Sequence, residues 1–184
     1  MLTIERLTEQ EYLELEQKSE TRHEFVDGVL HAMAGDKKQN NRVVRRLVRL
    51  LDAPAEAKGC DVFFTVVKMR VPTGKYRYPD VVVTCEDDAD EYLIQAPCAI
   101  FEVLSDSTRD VDEGAKLEEY LKMPSVERYV LLHQDKATVM VYSRQAESWR
   151  FDLLENTGQF CVPCLGVTLQ LEQIYAGIIL AVTS

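Results

Sequence analysis

Two short apolar runs, each carrying one carboxylate, constrain the fold of this chain more than any other feature. Asp80 precedes three consecutive valines, and Glu102 lies within the apolar run Cys98–Leu104. Such runs are typical of central strands, where a carboxylate is costly unless a cation or hydrogen-bond donors meet it. Adjacent strands would bring the two acids within a few ångströms of each other, which suits a hard cation such as Mg²⁺. The alternative is that each acid lies at a strand end, solvated or paired with an arginine.

The remaining hydrophobic patterns predict helices and strands on either side of these two runs. A capping residue followed by a glutamate predicts a helix over Thr8–Gln17, and an Asp27-Gly28 turn between alternating arms predicts a hairpin over Arg22–Ala34. A helical apolar stripe follows over Lys37–Leu51, with Pro54 and Gly59 closing that region. The later predictions are a strand-rich region over Asp61–Val71, a strand over Asp80–Thr84, a helix over Ser105–Met123, strands over Arg128–His133, Val139–Ser143 and Trp149–Leu153, and a closing helical turn over Leu171–Ala176. We therefore expect a single α/β (α+β) domain over residues 1–184, with a mixed sheet flanked by helices and an N-terminal helix and hairpin.

Composition and charge exclude several classes of protein. A hydrophobic share of 46% and a charged share of 28% argue against intrinsic disorder. The sequence has no apolar run of membrane-spanning length, and its acidic N-terminal segment lacks the apolar core of a secretion signal. We therefore expect a cytoplasmic protein without a membrane partner. The 21 basic and 31 acidic residues give a net charge of −10, so any binding of nucleic acid would need a local basic patch.

One helix offers such a patch. Arg42, Arg45, Arg46 and Arg49 follow the spacing i, i+3, i+4, i+7, which places them on one face opposite the apolar stripe. With Lys37 and Lys38 they form the only concentrated basic surface in the sequence. This arginine stripe would either follow the phosphates of a nucleic acid or serve as a solvated face or an oligomer contact.

The cysteines and histidines suggest no site by their spacing. The five cysteines are odd in number and loosely spaced, which argues against a disulfide framework. Cys161 and Cys164 have C-x-x-C spacing, but without a second pair or nearby histidines we interpret them as two thiols packed in or beside the core. His23 adjoins Glu24, but neighbours on a strand face opposite sides of the sheet, so we do not assign it as a ligand.

Lys116 allows two interpretations from the residues alone. Asp112 and Lys116 lie four positions apart on a predicted helix, the spacing of an ordinary surface ion pair. Lys116 also follows Glu102 after a loop and the start of that helix, so it could join the two acids instead.

Several segments together resemble one known family. They are Tyr78–Val83, Phe101–Thr108, Asp112 and Lys116–Tyr120, with Arg22–Gly28 similar to an N-terminal E-x-x-D-G hairpin, and the later stretches Pro124–Val126, Tyr129–Leu132, Pro163–Gly166 and Ile174-Tyr175. In this order and spacing they resemble the Uma-two family of restriction endonucleases, which is assigned to the PD-(D/E)XK nuclease superfamily. The likeness runs over nearly the whole chain.

This resemblance implies a restriction-endonuclease-like core and a phosphodiesterase site that uses Mg²⁺ or Mn²⁺. Asp80 and Glu102 would match the two metal-binding acids, and Glu24 would match an N-terminal acid that binds metal or orients water. The usual lysine position, two residues after the second acid, is Leu104 in this chain. The family places its lysine on the following helix, which corresponds to Lys116, where it would polarise the attacking water or stabilise the phosphate.

The sequence departs from the family pattern at two positions. Asn40 stands where the family often has a histidine, which weakens any role for histidine. Asp106 stands at a proline position and adds negative charge close to where a phosphate would lie.

The main hypothesis is therefore a metal-dependent DNA endonuclease with Asp80, Glu102 and Lys116 as its catalytic residues. We expect it to act as a homodimer, since symmetric cutting of both strands favours a two-fold axis. One alternative is a non-catalytic or regulatory interaction module that keeps the nuclease fold. A second alternative is an α/β protein whose acids are structural. The nuclease hypothesis and the alternative that keeps the nuclease fold both require Asp80 and Glu102 to converge near Lys116.

Overall fold

A computed structural model describes residues 6–33, 35, 37–64, 67–86, 90–105 and 109–180. The first helix, α1 (Glu9–Lys18), begins with a capping box, in which Thr8 Oγ1 accepts from the Glu11 backbone and the Glu11 carboxylate accepts from the Thr8 backbone. The hairpin β1 (His23–Val26) and β2 (Val29–Ala32) follows. Asp27 and Gly28 join its strands with positive φ angles of 51° and 84°, as a tight two-residue turn requires. Both predictions are confirmed.

The second helix, α2 (Lys38–Glu56), buries the predicted apolar stripe against the main sheet. Pro54 lies inside the helix, which ends at Glu56, between the two residues predicted to close this region. Ala55, one residue after the proline, is buried in the same core, which favours another turn of helix. Hydrogen bonds from Ala57 to Ala53 and from Cys60 to Ala55 then close the C-terminus. Among the residues described, no helix combines the length and apolarity needed to cross a membrane.

The main sheet has six strands in the order β11-β10-β9-β8-β6-β3. Their bounds are β3 (Asp61–Phe64), β6 (Val81–Thr84), β8 (Pro97–Leu104), β9 (Arg128–His133), β10 (Thr138–Gln145) and β11 (Ser148–Glu155). Strands β8 and β9 are parallel and the other neighbours are antiparallel, so the sheet is mixed, as expected. Strands β6 and β8 lie in its interior, where the two acid-bearing runs were predicted.

A second sheet has the order β2-β1-β5-β4-β7, with β4 (Lys68–Arg70), β5 (Tyr76–Arg77) and β7 (Leu93–Ile94). The predicted strand region Asp61–Val71 is therefore divided, because β3 pairs with β6 while β4 pairs with β5. A third pair, β12 (Gln159–Val162) and β13 (Val167–Gln170), was not predicted from the sequence. A 3₁₀ turn (Pro163–Leu165) connects its two strands, and α5 (Leu171–Ile174) follows as the closing helical turn.

Helices cover both faces of the main sheet. Helices α2 and α5 pack on one face with Ala99, Phe101 and Val103 of β8. The segment α3 (Arg109–Val111), a π-helical turn (Asp112–Lys116) and α4 (Leu117–Leu121) follows β8, and its Tyr120 and Leu117 pack in the core that holds Ile100 and Leu104. The helix predicted over Ser105–Met123 is thus interrupted by a π turn, and residues 106–108 lie outside the description. Because side chains alternate along a strand, Glu102 points to the same face as Ile100 and Leu104.

The cysteine prediction is wrong in this structure. Disulfides join Cys60 to Cys85 and Cys98 to Cys164, whereas Cys161 is exposed and has no disulfide partner among the described residues. The antiparallel pairing of β6 with β8 brings Cys85 and Cys98 to the same end of the sheet. Sequence spacing does not show this proximity, because it depends on which strands pair.

Candidate active site

Asp80 and Glu102 meet where β6 begins beside the C-terminal part of β8. Val81 pairs with Phe101, so Asp80 lies next to Glu102 across the two strands. The Asp80 backbone N–H donates to Glu102 Oε2 at 3.3 Å, and the Val103 N–H donates to Asp80 Oδ2 at 2.7 Å. The two acids therefore converge, as the nuclease hypotheses require.

Lys116 reaches the same place from the π-helical turn. Its Nζ lies 3.0 Å from Glu102 Oε1, 3.0 Å from Asp112 Oδ1 and 3.5 Å from Glu24 Oε1. The side chain is buried, with only 8% of its area exposed. Lys116 therefore pairs with Asp112 at the predicted i, i+4 spacing and also joins the acids, but the pair is buried, so the interpretation as an ordinary surface ion pair is wrong.

Glu24 is brought to the site by β1 and held there by Arg77. Arg77 Nη1 donates to Glu24 Oε2 at 2.8 Å, while Nε and Nη2 donate to Glu119 at 2.9 and 3.0 Å. The Tyr78 N–H also lies 3.5 Å from Glu24 Oε1. Sequence analysis did not single out Arg77 or Glu119. The signal in the sequence was Arg77, a charged residue shortly before Asp80. If that segment is buried, the arginine needs a partner of opposite charge.

Tyrosines complete the hydrogen bonding of the cluster. Tyr120 donates its hydroxyl to Glu102 Oε1 at 3.3 Å, and Tyr129 donates to the Asp112 carbonyl at 3.0 Å. Asp112 is buried, and the π turn directs it and Lys116 to the same side. Short π-helical turns within helices occur frequently at functional sites. Nothing in the sequence pattern indicated this turn.

The electrostatics of the cluster are dominated by carboxylates. Burial lowers the pKa of Lys116, but Glu102, Glu24 and Asp112 outweigh burial, so the pKa stands well above its usual value. Burial raises the pKa of Glu102, and the charges of Asp112 and Asp80 raise it further against the opposing effect of Lys116. The pKa of Glu24 is lowered, because Lys116 and Arg77 together outweigh its burial. The positive charge of Lys116 is thus insufficient to offset the combined effect of burial and neighbouring carboxylates on the pKa of Glu102.

The donor set suits a hard divalent cation. Glu24, Asp80, Glu102 and Asp112 offer carboxylate oxygens, the ligands that Mg²⁺ and Mn²⁺ prefer. Within the described part of the chain, no three carboxylates place ligand oxygens within 4.8 Å of one another. The Lys116 ammonium instead lies among three of them. Two carboxylates with water molecules are sufficient for Mg²⁺, so the residues present fit such an ion.

The arginine stripe lies on the helix that borders the site. Asn40, in the first turn of α2, donates to the carbonyl of Val103, one residue beyond Glu102, at 3.2 Å. Arg42, Arg45 and Arg49 are exposed along α2. Arg46 is half-buried, and its Nη2 lies 3.5 Å from the point that a Cβ on Gly177 would occupy. Three of the four arginines therefore remain available on the surface.

The fold is a mixed α+β fold, and a solved structure shares it. The structure is similar to the crystal structure of a putative nuclease belonging to DUF820 from Anabaena variabilis ATCC 29413, with a TM-score of 0.77, 17% sequence identity and coverage of 94% of this chain and 99% of that one. The model of the Uma2 family, described as "Putative restriction endonuclease", matches residues 9–180. The chain therefore belongs to the Uma2 family.

Two relatives come from Synechocystis sp. (strain ATCC 27184 / PCC 6803 / Kazusa). The uncharacterized protein slr1290 is 28% identical over 177 residues, covering 94% of this chain and 93% of that protein. The uncharacterized protein sll1609 is 30% identical over 137 residues, covering 72% and 77% respectively. The likeness to slr1290 spans nearly the full length of both chains, so it includes every element that contributes to the cluster around Lys116.

Proposed function

We propose that this protein is a divalent-metal-dependent endonuclease that hydrolyses phosphodiester bonds in DNA. The observation that carries the proposal is the meeting of Asp80, Glu102 and Lys116 in one place, with Glu102 and Lys116 buried at 3.0 Å. Membership of the Uma2 family supports the same class of reaction.

Each residue has a role that follows from its position. Asp80 and Glu102 would hold Mg²⁺ or Mn²⁺, with Glu24 as a further oxygen ligand or as the acceptor that orients the attacking water. A bound cation would polarise the phosphate and make water easier to deprotonate. Lys116 provides an ammonium that is already fixed in place, where negative charge builds up on the phosphate during attack. In the reaction, the oxygen of water would bond to phosphorus while the bridging P–O bond breaks. The proton from the attacking water would pass to a carboxylate, and the departing sugar oxygen would take up a proton from solvent water.

Binding of DNA would use the exposed face of α2. Arg42, Arg45 and Arg49 supply positive charge along the helix whose first turn contacts β8 beside Glu102. Such a local patch is required because the whole chain carries a charge of −10. We further propose that the protein acts as a cytoplasmic homodimer, so that two sites related by a two-fold axis cut the two strands.

Cleavage of supercoiled plasmid tests this function. We expect cleavage by the wild-type protein with Mg²⁺ or Mn²⁺ and none in EDTA. Asp80→Ala and Glu102→Gln should each lower the rate by at least about a hundredfold, the typical effect of losing one preorganised electrostatic group. Asp52→Ala removes an exposed carboxylate on α2, outside the cluster, and should leave the rate unchanged. Wild-type turnover by the Asp80→Ala protein would exclude this active site.

One observation favours the second candidate, an interaction module that keeps the fold without catalysis. Lys116 already pairs with three carboxylates, as the centre of a purely structural ion-pair network would. A module of that kind would neither bind Mn²⁺ nor cleave DNA. Calorimetric titration of the protein with Mn²⁺ therefore separates the two candidates before any nuclease assay, since only the nuclease should bind the ion.

A further inference from the structure

Four cysteines from four separate segments meet at one end of the main sheet. Cys60 precedes β3, Cys85 follows β6, Cys98 is the second residue of β8, and Cys164 lies in the 3₁₀ turn between β12 and β13. They form two disulfides, and the sulfurs of Cys85 and Cys98, which belong to different disulfides, lie 3.9 Å apart. The sulfurs of Cys85, Cys98 and Cys164 all lie within 4.8 Å of one another. We call these four residues the four-cysteine cluster.

The separation of the Cys85 and Cys98 sulfurs, 3.9 Å, is close to the spacing of two ligands in a tetrahedral metal–thiolate centre, and the disulfide to Cys85 keeps the Cys60 sulfur next to them. With Zn–S bonds of about 2.3 Å, the sulfurs of a tetrahedral site lie about 3.8 Å apart. We propose that the four-cysteine cluster, when reduced, binds one thiophilic divalent cation, with Zn²⁺ as the best-fitting ion. Cys161 is exposed and lies outside the cluster, so the C-x-x-C spacing with Cys164 does not define the site.

A dithiol reductant can convert the two disulfides of the cluster into the four thiols that bind the metal. Each disulfide takes two electrons and two protons from one dithiol, which is oxidised to its own disulfide, so two equivalents yield four thiols. Binding of Zn²⁺ then displaces protons from the thiols, because thiolates are the ligands. Metal binding and disulfide formation are therefore mutually exclusive states of the same four sulfurs.

The surroundings of the cluster suit a charged metal centre with an entry path. Cys60 and Cys98 are buried, whereas Cys85 is exposed and gives an ion access. Four thiolates and one Zn²⁺ carry a net charge of −2. The side chain of Lys58 lies close by, since its Cε is 3.8 Å from where a Cβ on Gly166 would be, two residues after Cys164. Its ammonium would offset part of that charge.

The cluster would act structurally, because four protein ligands leave no open position for a substrate. It lies at the opposite end of β6 and β8 from Asp80 and Glu102, about 13 Å away at the usual rise of about 3.3 Å per strand residue. A cation there would fix β6 against β8, and so fix the two acids against each other. The proposal does not depend on the nuclease function.

Metal analysis of protein kept in a reducing buffer tests the proposal. We expect one equivalent of Zn²⁺ per chain in the wild type, retained after gel filtration and released by a thiol-modifying reagent. The double variant Cys85→Ser/Cys98→Ser should lose nearly all of the metal. Cys161→Ser, which removes the cysteine outside the cluster, should keep the full equivalent. Retention of zinc by the double variant, or its loss in Cys161→Ser, would overturn the assignment.

A measurement on the wild type alone keeps the proposal testable if the double variant misfolds. Co²⁺ added to the reduced, metal-free protein should produce intense thiolate-to-cobalt absorption and tetrahedral ligand-field bands, and Zn²⁺ should displace both. If the reduced protein shows no such absorption and binds no Zn²⁺, the four cysteines form disulfides only and the proposal fails. Neither readout involves DNA, so failure here is distinguishable from failure of the nuclease proposal.

Discussion

Lys116 holds a buried ammonium against three carboxylates. Its partners are Glu102, Asp112 and Glu24, at distances of 3.0, 3.0 and 3.5 Å. Removing one member of a buried ionic network leaves the others uncompensated, which costs more than the net value of the pair. Lys116 is therefore a counter-ion for the acids as well as a candidate catalytic residue.

Lys116→Met, which keeps much of the side-chain volume and removes the charge, should destabilise the metal-free protein. We expect a loss of about 3–5 kcal/mol in the free energy of unfolding in EDTA, because three carboxylates lose their buried partner. Mn²⁺ should restore part of this loss by supplying positive charge. Urea unfolding at pH 7, with and without Mn²⁺, measures both effects. Lys122→Met, at an exposed site, should change stability by no more than about 0.5 kcal/mol. If Mn²⁺ leaves the free energy of unfolding of the Lys116→Met protein unchanged, the acids do not form a cation site.

His133 is a buried imidazole with a lowered pKa. Burial, with smaller contributions from the charges of Lys136 and Arg109, lowers its pKa from 6.5 to about 4 against the opposing effect of Asp135. The folded protein thus favours the neutral ring, while the unfolded chain binds a proton near pH 6.5. The stabilisation is fully present above pH 6.5 and is lost as the pH falls towards 4.

His133→Gln should therefore flatten the pH dependence of stability in that interval. Glutamine still offers an acceptor to Arg109, which lies 3.4 Å from His133 Nδ1, but it does not titrate. Between pH 6.5 and 4 the wild type should lose up to about 3 kcal/mol more than the variant. Urea unfolding of both proteins at half-unit pH steps measures the difference, in which carboxylate titrations common to both cancel. Parallel pH profiles would show that His133 titrates normally.

At the scale of elements, the π-helical turn Asp112–Lys116 carries two of the side chains that face the site. A π turn contains one residue more than an α-helical turn, so it shifts the following helix by one position relative to the preceding one. Asp112, Lys116 and Tyr120 all reach the cluster around Glu102. In a regular α-helix these residues, at i, i+4 and i+8, would spread over about 80° of one face, and the wider π turn brings them closer to one line.

Deleting Gly114 should disturb the cluster while leaving the segment helical, because Asp112 would then stand three residues before Lys116 instead of four. A Cβ at Gly114 would meet nothing within 4 Å, so the position has room for a side chain. We expect the deletion to cost at least about 3 kcal/mol, because it breaks the buried ion pairs of Lys116. The matched variant Gly114→Ala keeps the turn and should raise stability by about 0.5–1 kcal/mol through reduced entropy of the unfolded chain. Urea unfolding and circular dichroism compare the two, and equal stabilities would contradict this account of the π turn.

At the scale of the molecule, charge is distributed unevenly. The chain carries a net charge of −10, yet three exposed arginines follow one face of α2, the helix whose first turn contacts β8 at Val103. Each phosphate contact adds about 0.9 to the slope of log affinity against log salt. Salt dependence therefore measures how many of these arginines contact DNA.

The triple variant Arg42→Gln/Arg45→Gln/Arg49→Gln should weaken DNA binding equally for different sequences. In an Asp80→Ala background, for which we expect no cleavage, the salt slope should fall by up to about 2.7. Arg150→Gln, an exposed arginine on β11 that pairs with Asp152 at 2.8 Å, serves as the control and should change nothing. If the triple variant keeps the wild-type slope but becomes monomeric, the arginine stripe is an oligomer contact instead.

Features that depend on neighbouring residues followed directly from the sequence. The Asp27-Gly28 hairpin, the capped helix α1, the apolar face of α2 and the strands around Asp80 and Glu102 all arise from turn chemistry or hydrophobic periodicity. The meeting of Asp80, Glu102 and Lys116 was expected from the family resemblance and is present in the structure. Their catalytic roles remain predictions.

Other features depend on contacts between distant segments, and only the tertiary structure decided them. Arg77 orients Glu24 across 53 residues, the region Asp61–Val71 is shared between two sheets, and the four cysteines meet because β6 pairs with β8. In each case the local sequence allows several partners of similar cost. Burial then selects one arrangement, because an unpaired charge or an exposed apolar face would be costly in the folded chain. The sequence thus determined the elements and the candidate acids. Tertiary packing determined how closely the Lys116 ammonium faces those acids and which residue, Arg77, holds Glu24 in place.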